Sequence, residues 1–200
     1  MLAGLAGCAT GPGETRDEAM YAAWAAAHRD DVQAFEAFLA QAGVAGVVRS
    51  GELLRSASSW RDCGAEPYAV PPPAQWPAAV RVLELLRTLV EAGVLGPFEV
   101  HSAYRAEPLN SCAGGARGSA HLRSFAVDLT PRDGRDAAAA LCSFWREQGR
   151  AWAMGLSRYP SGRIHVDTAG YRTWGADQTG RTTACAGYAG SLPEPARATP

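Results

Sequence analysis

Two short segments of this chain set histidine beside carboxylate: Ser119-Ala120-His121-Leu122-Arg123-Ser124-Phe125-Ala126-Val127-Asp128 and Ile164-His165-Val166-Asp167. The chain has four histidines, and two of them fall in these segments. Extended backbone alternates its side chains between two faces. In a strand over residues 125–130, Phe125, Val127 and Leu129 therefore share one face, while Ala126 and Asp128 take the other. In a strand over 163–168, Ile164 and Val166 face the core, and His165 and Asp167 share the opposite face about 6.5 to 7 Å apart. Two imidazoles and a carboxylate on the polar faces of neighbouring strands, from His121, Asp128 and His165, can supply three ligands of a tetrahedral Zn²⁺. The fourth position is then open to water, the arrangement of catalytic rather than structural zinc. Taken singly, a histidine on a strand is more often a satisfied structural residue, so periodicity by itself does not establish a metal site.

The elements that must position these residues read as helices first and strands second. Residues 15–42 are rich in Ala and other strong helix formers, with Tyr21, Trp24, Ala25, Val32, Phe35, Phe38 and Leu39 at helical spacing. One helix is expected there, or two separated near Arg29 and Asp30. Residues 44–75 are irregular, and Pro71-Pro72-Pro73 opposes helix. Residues 76–92 repeat Val80, Val82, Leu83, Leu85, Leu86, Leu89 and Val90, an amphipathic helix closed by Gly93. From Gly96 the pattern changes. A strand over 98–105 puts Phe98, Val100 and Tyr104 on one face and His101 and Arg105 on the other. A Gly-rich loop over 110–118, the strand over 125–130, a helix over 135–148 and two strands over 151–157 and 163–168 follow. Tyr159-Pro160-Ser161-Gly162 supplies the turn between the last two. The pattern predicts an α+β fold, with N-terminal helices packed on a small antiparallel sheet that carries the site.

With 200 residues the chain can bury one core, so residues 15–95 and 96–187 are expected to share a domain between a leader and linker at 1–14 and a disordered tail at 188–200. Nineteen basic residues balance twenty acidic ones, and no general field favours nucleic acid or an anionic membrane. Leu5-Ala6-Gly7-Cys8 resembles a bacterial lipobox, in which the cysteine becomes lipidated and anchors the protein to a membrane. Only seven residues precede Cys8 and none is basic, whereas signal peptides run to about 15 to 30 residues with a positive start. Cys63, Cys112, Cys142 and Cys185 remain, an even number with no C-x-x-C pair. In an exported protein they form two disulfides, in any of three connectivities; in a cytosolic one they would be buried thiols.

Ser102-Ala103-Tyr104-Arg105, Asn110, Gly114-Gly115, Ser119-x-His121 and Ala126-x-Asp128 resemble the core of the M15 family of zinc D-alanyl-D-alanine peptidases. The later run of Gly155, Tyr159-Pro160, Ile164-His165-Val166-Asp167, Gly170, Arg172 and Trp174 is similar to the branch that includes murein endopeptidases and phage lysins. The resemblance spans roughly residues 98–175. It implies a Hedgehog/DD-peptidase-like fold, Zn²⁺ on His121, Asp128 and His165, and hydrolysis of peptidoglycan stem peptides in the bacterial cell envelope. It leaves open a terminal carboxypeptidase or a cross-link endopeptidase. Arg105 matches an arginine that binds or polarises substrate near the scissile bond, a role suited to its fixed charge and forked donors. Ser119 matches a serine lining the site, and Tyr104 is expected to join Arg105 in holding substrate.

Three positions depart from the family pattern. Ala103 and Ser124 stand where glycine is usual. More consequentially, Gly162 stands where several relatives carry Glu or Asp, three residues before the last histidine. Asp167 then becomes the candidate general base, with an orienting carboxylate as its other reading. His101 is a candidate for stabilising the oxyanion, or else it packs. A chain without a base would be an inactive envelope lipoprotein that binds peptidoglycan or a partner.

Overall fold

A computed structural model of the chain describes residues 16–175, 177, 179–183, 185 and 186. The leader with Cys8 and the tail at 188–200 lie outside the described residues. The fold is α+β, with helices α1 (Arg16–Ala27), α2 (Arg29–Gln41), α3 (Ser50–Leu53) and α4 (Trp76–Glu91) preceding every strand of the sheet. The long N-terminal helical pattern is split at His28, between α1 and α2. On α2, Val32, Phe35 and Leu39 form the buried stripe. α4 opens with Pro77 in its first turn, where the missing N–H was unpaired anyway. Its Leu85, Leu86 and Leu89 are fully buried against α2 and the sheet. Gly93 ends it with a φ of 70° or so, left-handed backbone that glycine adopts without strain (φ 69°).

The strands are β1 (Phe98–Ser102), β2 (Ala126–Pro131), β3 (Gly155–Arg158), β4 (Ile164–Asp167) and β5 (Arg172–Trp174), and they lie in the order β1-β2-β4-β3-β5. Between β1 and β2 come α5 (Glu107–Cys112) and a single 3₁₀ turn, Ala120–Arg123. Helix α6 (Ala138–Glu147) joins β2 to β3, and Asp136 Oδ1 accepts from the Ala138 N–H at its start, 2.9 Å away. The β2–β4 register sets Asp128 directly opposite His165. One continuous cluster of buried side chains runs from Val32 on α2, through α4, to Val100, Val127, Leu129 and Val166 on the sheet.

Several sequence expectations need correction. β5 pairs with β3 in parallel, so the sheet is mixed rather than antiparallel. Asn110 to Cys112 are the end of α5, and the Gly-rich loop begins only at Ala113. β3 starts at Gly155, after a turn in which Ala153 has a φ of 50°. Along β1 the register shifts between Val100 and Ser102, an irregularity that breaks the two-residue alternation. Arg105 lies beyond the strand and does not share a strand face with His101.

Two disulfides select one of the three connectivities: Cys63–Cys112 and Cys142–Cys185. The turn between β3 and β4 is closed by the Gly162 N–H donating to the Tyr159 carbonyl at 2.9 Å and the Tyr159 N–H donating to Arg163 O at 2.8 Å. Gly162 has a φ of 86°, and a β-carbon there would meet no atom within 4 Å. The effect of Gly162→Ala is therefore purely conformational, a destabilisation of roughly 1–2 kcal/mol for an L-residue in left-handed backbone. Thermal unfolding should show a fall of about 3–6 °C in Tm; an unchanged Tm would mean that the turn is not held in this conformation.

Candidate metal centre

Three side chains converge at the floor of a cleft of about 710 Å³, where His121 and His165 line it and Asp128 is buried beside them. Asp128 comes from the middle of β2, His165 from the facing position on β4, and His121 from the 3₁₀ turn before β2. Asp128 Oδ1 lies 2.9 Å from His165 Nδ1 and 3.2 Å from His121 Nε2, and the two ring nitrogens are 3.2 Å apart. All three residues are at least 95% buried, so the faces expected to be polar are covered rather than bathed in solvent (relative exposures 1%, 4% and 4%).

The far side of each ring decides its tautomer. His121 Nδ1 is 2.6 Å from the Ala103 carbonyl, which can only accept, so Nδ1 carries the hydrogen and Nε2 a lone pair. Arg105 Nη2, which can only donate, reaches that Nε2 at 3.2 Å. In its neutral form His165 donates from Nε2 to Asp167 Oδ2 at 2.9 Å, which leaves a lone pair on Nδ1. Thus two imidazole acceptors and a carboxylate oxygen face one another. Such a set repels itself unless a cation sits among its members. Zinc ligands about 2.0 to 2.1 Å from a tetrahedral ion lie about 3.3 Å from one another, close to the 2.9 to 3.2 Å separations here. The donor set fits zinc.

Charge follows the same pattern. Burial would raise the Asp128 carboxyl, but His121 and His165 outweigh it and hold it well below the usual range. Burial pushes His121 down, with the Arg105 charge adding to it against the pull of Asp128. Burial presses His165 down too, yet its hydrogen bonds to Asp128 and Asp167 prevail and raise it, so without an ion Nδ1 tends to hold a proton for Asp128 that a bound metal would displace.

The sequence profile described as Peptidase M15 matches residues 31–167, more than half of the 200-residue chain. The chain belongs to the M15 peptidase family. No curated protein and no solved structure matches it. M15 peptidases are metallopeptidases, and the matched span of this one contains all three converging residues.

Around the three donors, this M15 peptidase has a tight shell of partners. Arg105 donates from Nε to Ser102 Oγ at 2.8 Å and from Nη2 to Asp128 Oδ2, and its backbone N–H binds the His121 carbonyl at 3.1 Å. Ser119 lines the cleft, and its Oγ accepts the His121 N–H at 3.3 Å, capping the 3₁₀ turn. Ser124, where the family favours glycine, has a φ of 60°, so the position does require left-handed backbone. Its hydroxyl donates to Gln75 Oε1 at 3.0 Å, tying the turn to the start of α4.

Other predicted site residues take different places. Asp167 is wholly buried behind His165, and its oxygens accept from His165 Nε2, from the Ala169 N–H at 2.8 Å and from both terminal nitrogens of Arg172 at 3.0 and 2.8 Å. That leaves it no face toward the cleft, which fits the orienting carboxylate and not the base. His101 sits in the irregular part of β1, hydrogen-bonded through Nε2 to Thr130 Oγ1, beside a separate cavity shared with Arg55 and Glu99. An oxyanion role would need it in the cleft, which it does not line. Tyr104 is half-buried and does not line the cleft either.

Tyr159, Arg172 and Trp174 carry no site role legible from residue type or spacing, though all three fall in the later run of the family resemblance. Trp174 meets His165 edge-on with ring centroids 5.1 Å apart, and the Arg172 guanidinium lies 4.6 Å over the Trp174 ring. Asp167, Arg172, Trp174 and His165 thus close a ring of contacts that fixes the imidazole. Asp167→Asn should leave the protein folded and weaken zinc binding about 10- to 100-fold. Competition with a chelator measures this, and unchanged affinity would mean that Asp167 does not orient the ligand.

Proposed function

We propose that this M15 peptidase is a zinc enzyme that hydrolyses the peptide part of bacterial peptidoglycan, as a D-alanyl-D-alanine carboxypeptidase or a murein endopeptidase. The observation that carries the reading is the convergence of three acceptor atoms, with Arg105 alongside, at the floor of an open cleft. A bound zinc ion supplies Lewis acidity there, lowering the pKa of water toward about 7 and polarising a carbonyl.

The chain's own residues do the rest. Ala103 and Asp167 hold the two imidazoles in the tautomers that present lone pairs to one point. Arg105 keeps a permanent positive charge beside that point and stabilises negative charge developing on the substrate's carbonyl oxygen. Ser119 keeps His121 in place along one wall. Asp167 takes no proton from water, since its oxygens are already occupied.

The two disulfides support action outside the cytosol, in the cell envelope, where thiols oxidise. Lipidation of Cys8 would hold the protein to a membrane there, and the stem peptide is its partner.

A second reading rests on one observation: among the described residues that line the cleft, none is Asp or Glu. A scaffold without a cleft carboxylate could hold peptidoglycan without cutting it. Digestion of purified sacculi, followed by muropeptide chromatography, separates the two readings. The wild-type protein should carry stoichiometric zinc and release new muropeptides, and His121→Ala should lose both. Cleavage that survives in His121→Ala would sink the proposed mechanism, while a zinc-loaded wild type that releases nothing favours the scaffold.

A further inference from the structure

Tyr159 begins the tight turn between β3 and β4, and its ring lines the cleft. Its hydroxyl donates to Asp128 Oδ1 at 3.3 Å, the same oxygen that His121 Nε2 and His165 Nδ1 approach. The ring stands edge-on to His165 with centroids 6.5 Å apart. The phenolic proton is therefore directed at the point on which the three donors converge, from the cleft side.

Other donors in the cleft are more heavily committed. Arg105 is bonded to Ser102, Asp128 and His121, and Arg172 is engaged by Asp167, Gly170 and Trp174. The contact from Tyr159 to Asp128 is long for an O–H donor, which favours 2.5 to 3.0 Å. It is a weak bond that a better acceptor can replace.

Resting on the peptidase reading above, we propose that Tyr159 is a catalytic residue: its hydroxyl donates a hydrogen bond to the carbonyl oxygen of the scissile peptide as that oxygen gains negative charge. Asp128 Oδ1 is a ligand atom in that reading, so its lone pairs are drawn away from the phenol. The hydroxyl then turns to the substrate oxygen, sharing its charge with Arg105. Hydrogen bonds of this kind strengthen as charge develops and so lower the barrier without tightening ground-state binding.

The turn fixes the donor's place. Two backbone hydrogen bonds close it around residues 159–163, and Gly162 supplies the left-handed backbone that lets it be this short. An acidic residue at position 162 would have to adopt that same unfavourable backbone. The geometry that keeps a carboxylate out of position 162 is the one that delivers Tyr159 over the site.

Tyr159→Phe removes only the hydroxyl from a side chain that is partly exposed (37%), so the fold should persist. Zinc-loaded wild type and variant would be compared on a D-alanyl-D-alanine-terminated stem peptide and on the phosphinate isostere of D-alanyl-D-alanine, a mimic of the tetrahedral state. The expected result is equal zinc content, kcat lower by about 100-fold or more, KM within about twofold, and phosphinate affinity reduced by a similar factor. A kcat close to wild type, or a loss confined to KM, overturns the assignment. Should the zinc-loaded wild type cleave neither this peptide nor the cross-links of purified sacculi, the peptidase reading fails. Phosphinate binding then judges Tyr159 separately, and equal affinity in both proteins overturns its role as a donor.

Discussion

Three potential ligand atoms, Asp128 Oδ1, His121 Nε2 and His165 Nδ1, meet within 3.2 Å of one another with Arg105 and Tyr159 donating from the rim, and the architecture near the cleft serves to keep them there. Left alone, such a cluster would relax: an imidazole would flip, or the carboxylate would swing toward a donor. Neither can happen cheaply here. His121 is held by the Ala103 carbonyl on one side and its own 3₁₀ turn on the other. His165 is held by Asp167 behind and Trp174 beside. Asp128 is fixed by its place in the middle of a strand paired on both sides, to β1 and to β4. The repulsion is built into a frame too stiff to relieve it, which is how a protein preorganises a site for a cation.

Steric room behind the site matters as much as charge. Gly155 on β3 lies opposite Asp167, and a β-carbon there would come within 2.2 Å of Asp167 Oδ2. The buried carboxylate therefore occupies the space that any larger residue would need. Arg172 completes the enclosure with two hydrogen bonds from β5, the short parallel strand at the sheet's edge. Without β5, Asp167 would be a buried anion with only one imidazole and the Ala169 N–H as partners and no fixed positive charge beside it, a costly arrangement.

Much of this was legible in the sequence, for identifiable reasons. α4 repeats its apolar residues from Val80 to Val90 over about three turns, a signal strong enough to survive a local disturbance. The alternation in 125–130 and 163–168 puts Asp128 and His165 on matching faces because both strands are regular there. The same logic fails at β1, where a shift in register moves His101 and Arg105 out of step. Parity counts residues and cannot detect a bulge. β5 escaped notice because three residues are too few to show a period. The direction of Asp167 was equally hidden, since sharing a strand face with His165 says nothing about which ring nitrogen it meets. Tyr159 reads locally as a turn residue, and only the folded chain brings its hydroxyl to Asp128.

Neither long wall of the cleft is built from helix or strand throughout, and this accounts for where the disulfides lie. Gly114 and Gly115 belong to one wall, and Cys112 joins Cys63 immediately before them. Gly175 and Gly180 belong to the other, and Cys185 joins Cys142 on α6 shortly after them. Glycine-rich backbone loses more conformational freedom on ordering than any other, so these walls are the parts most prone to open. In the chain-entropy account, crosslinks that enclose 49 and 43 residues stabilise by about 4 kcal/mol each. Asn110 adds a local tie: its Nδ2 donates to the Ala116 carbonyl at 3.0 Å, and Gly115 packs so closely that a β-carbon would fall 2.1 Å from Asn110 Oδ1. Covalent staples at the ends of the walls thus let the interior of the cleft stay free of regular structure. A site that must admit a peptide backbone needs that freedom, because a wall already satisfied by helix or sheet pairing has no N–H or carbonyl left to offer a substrate.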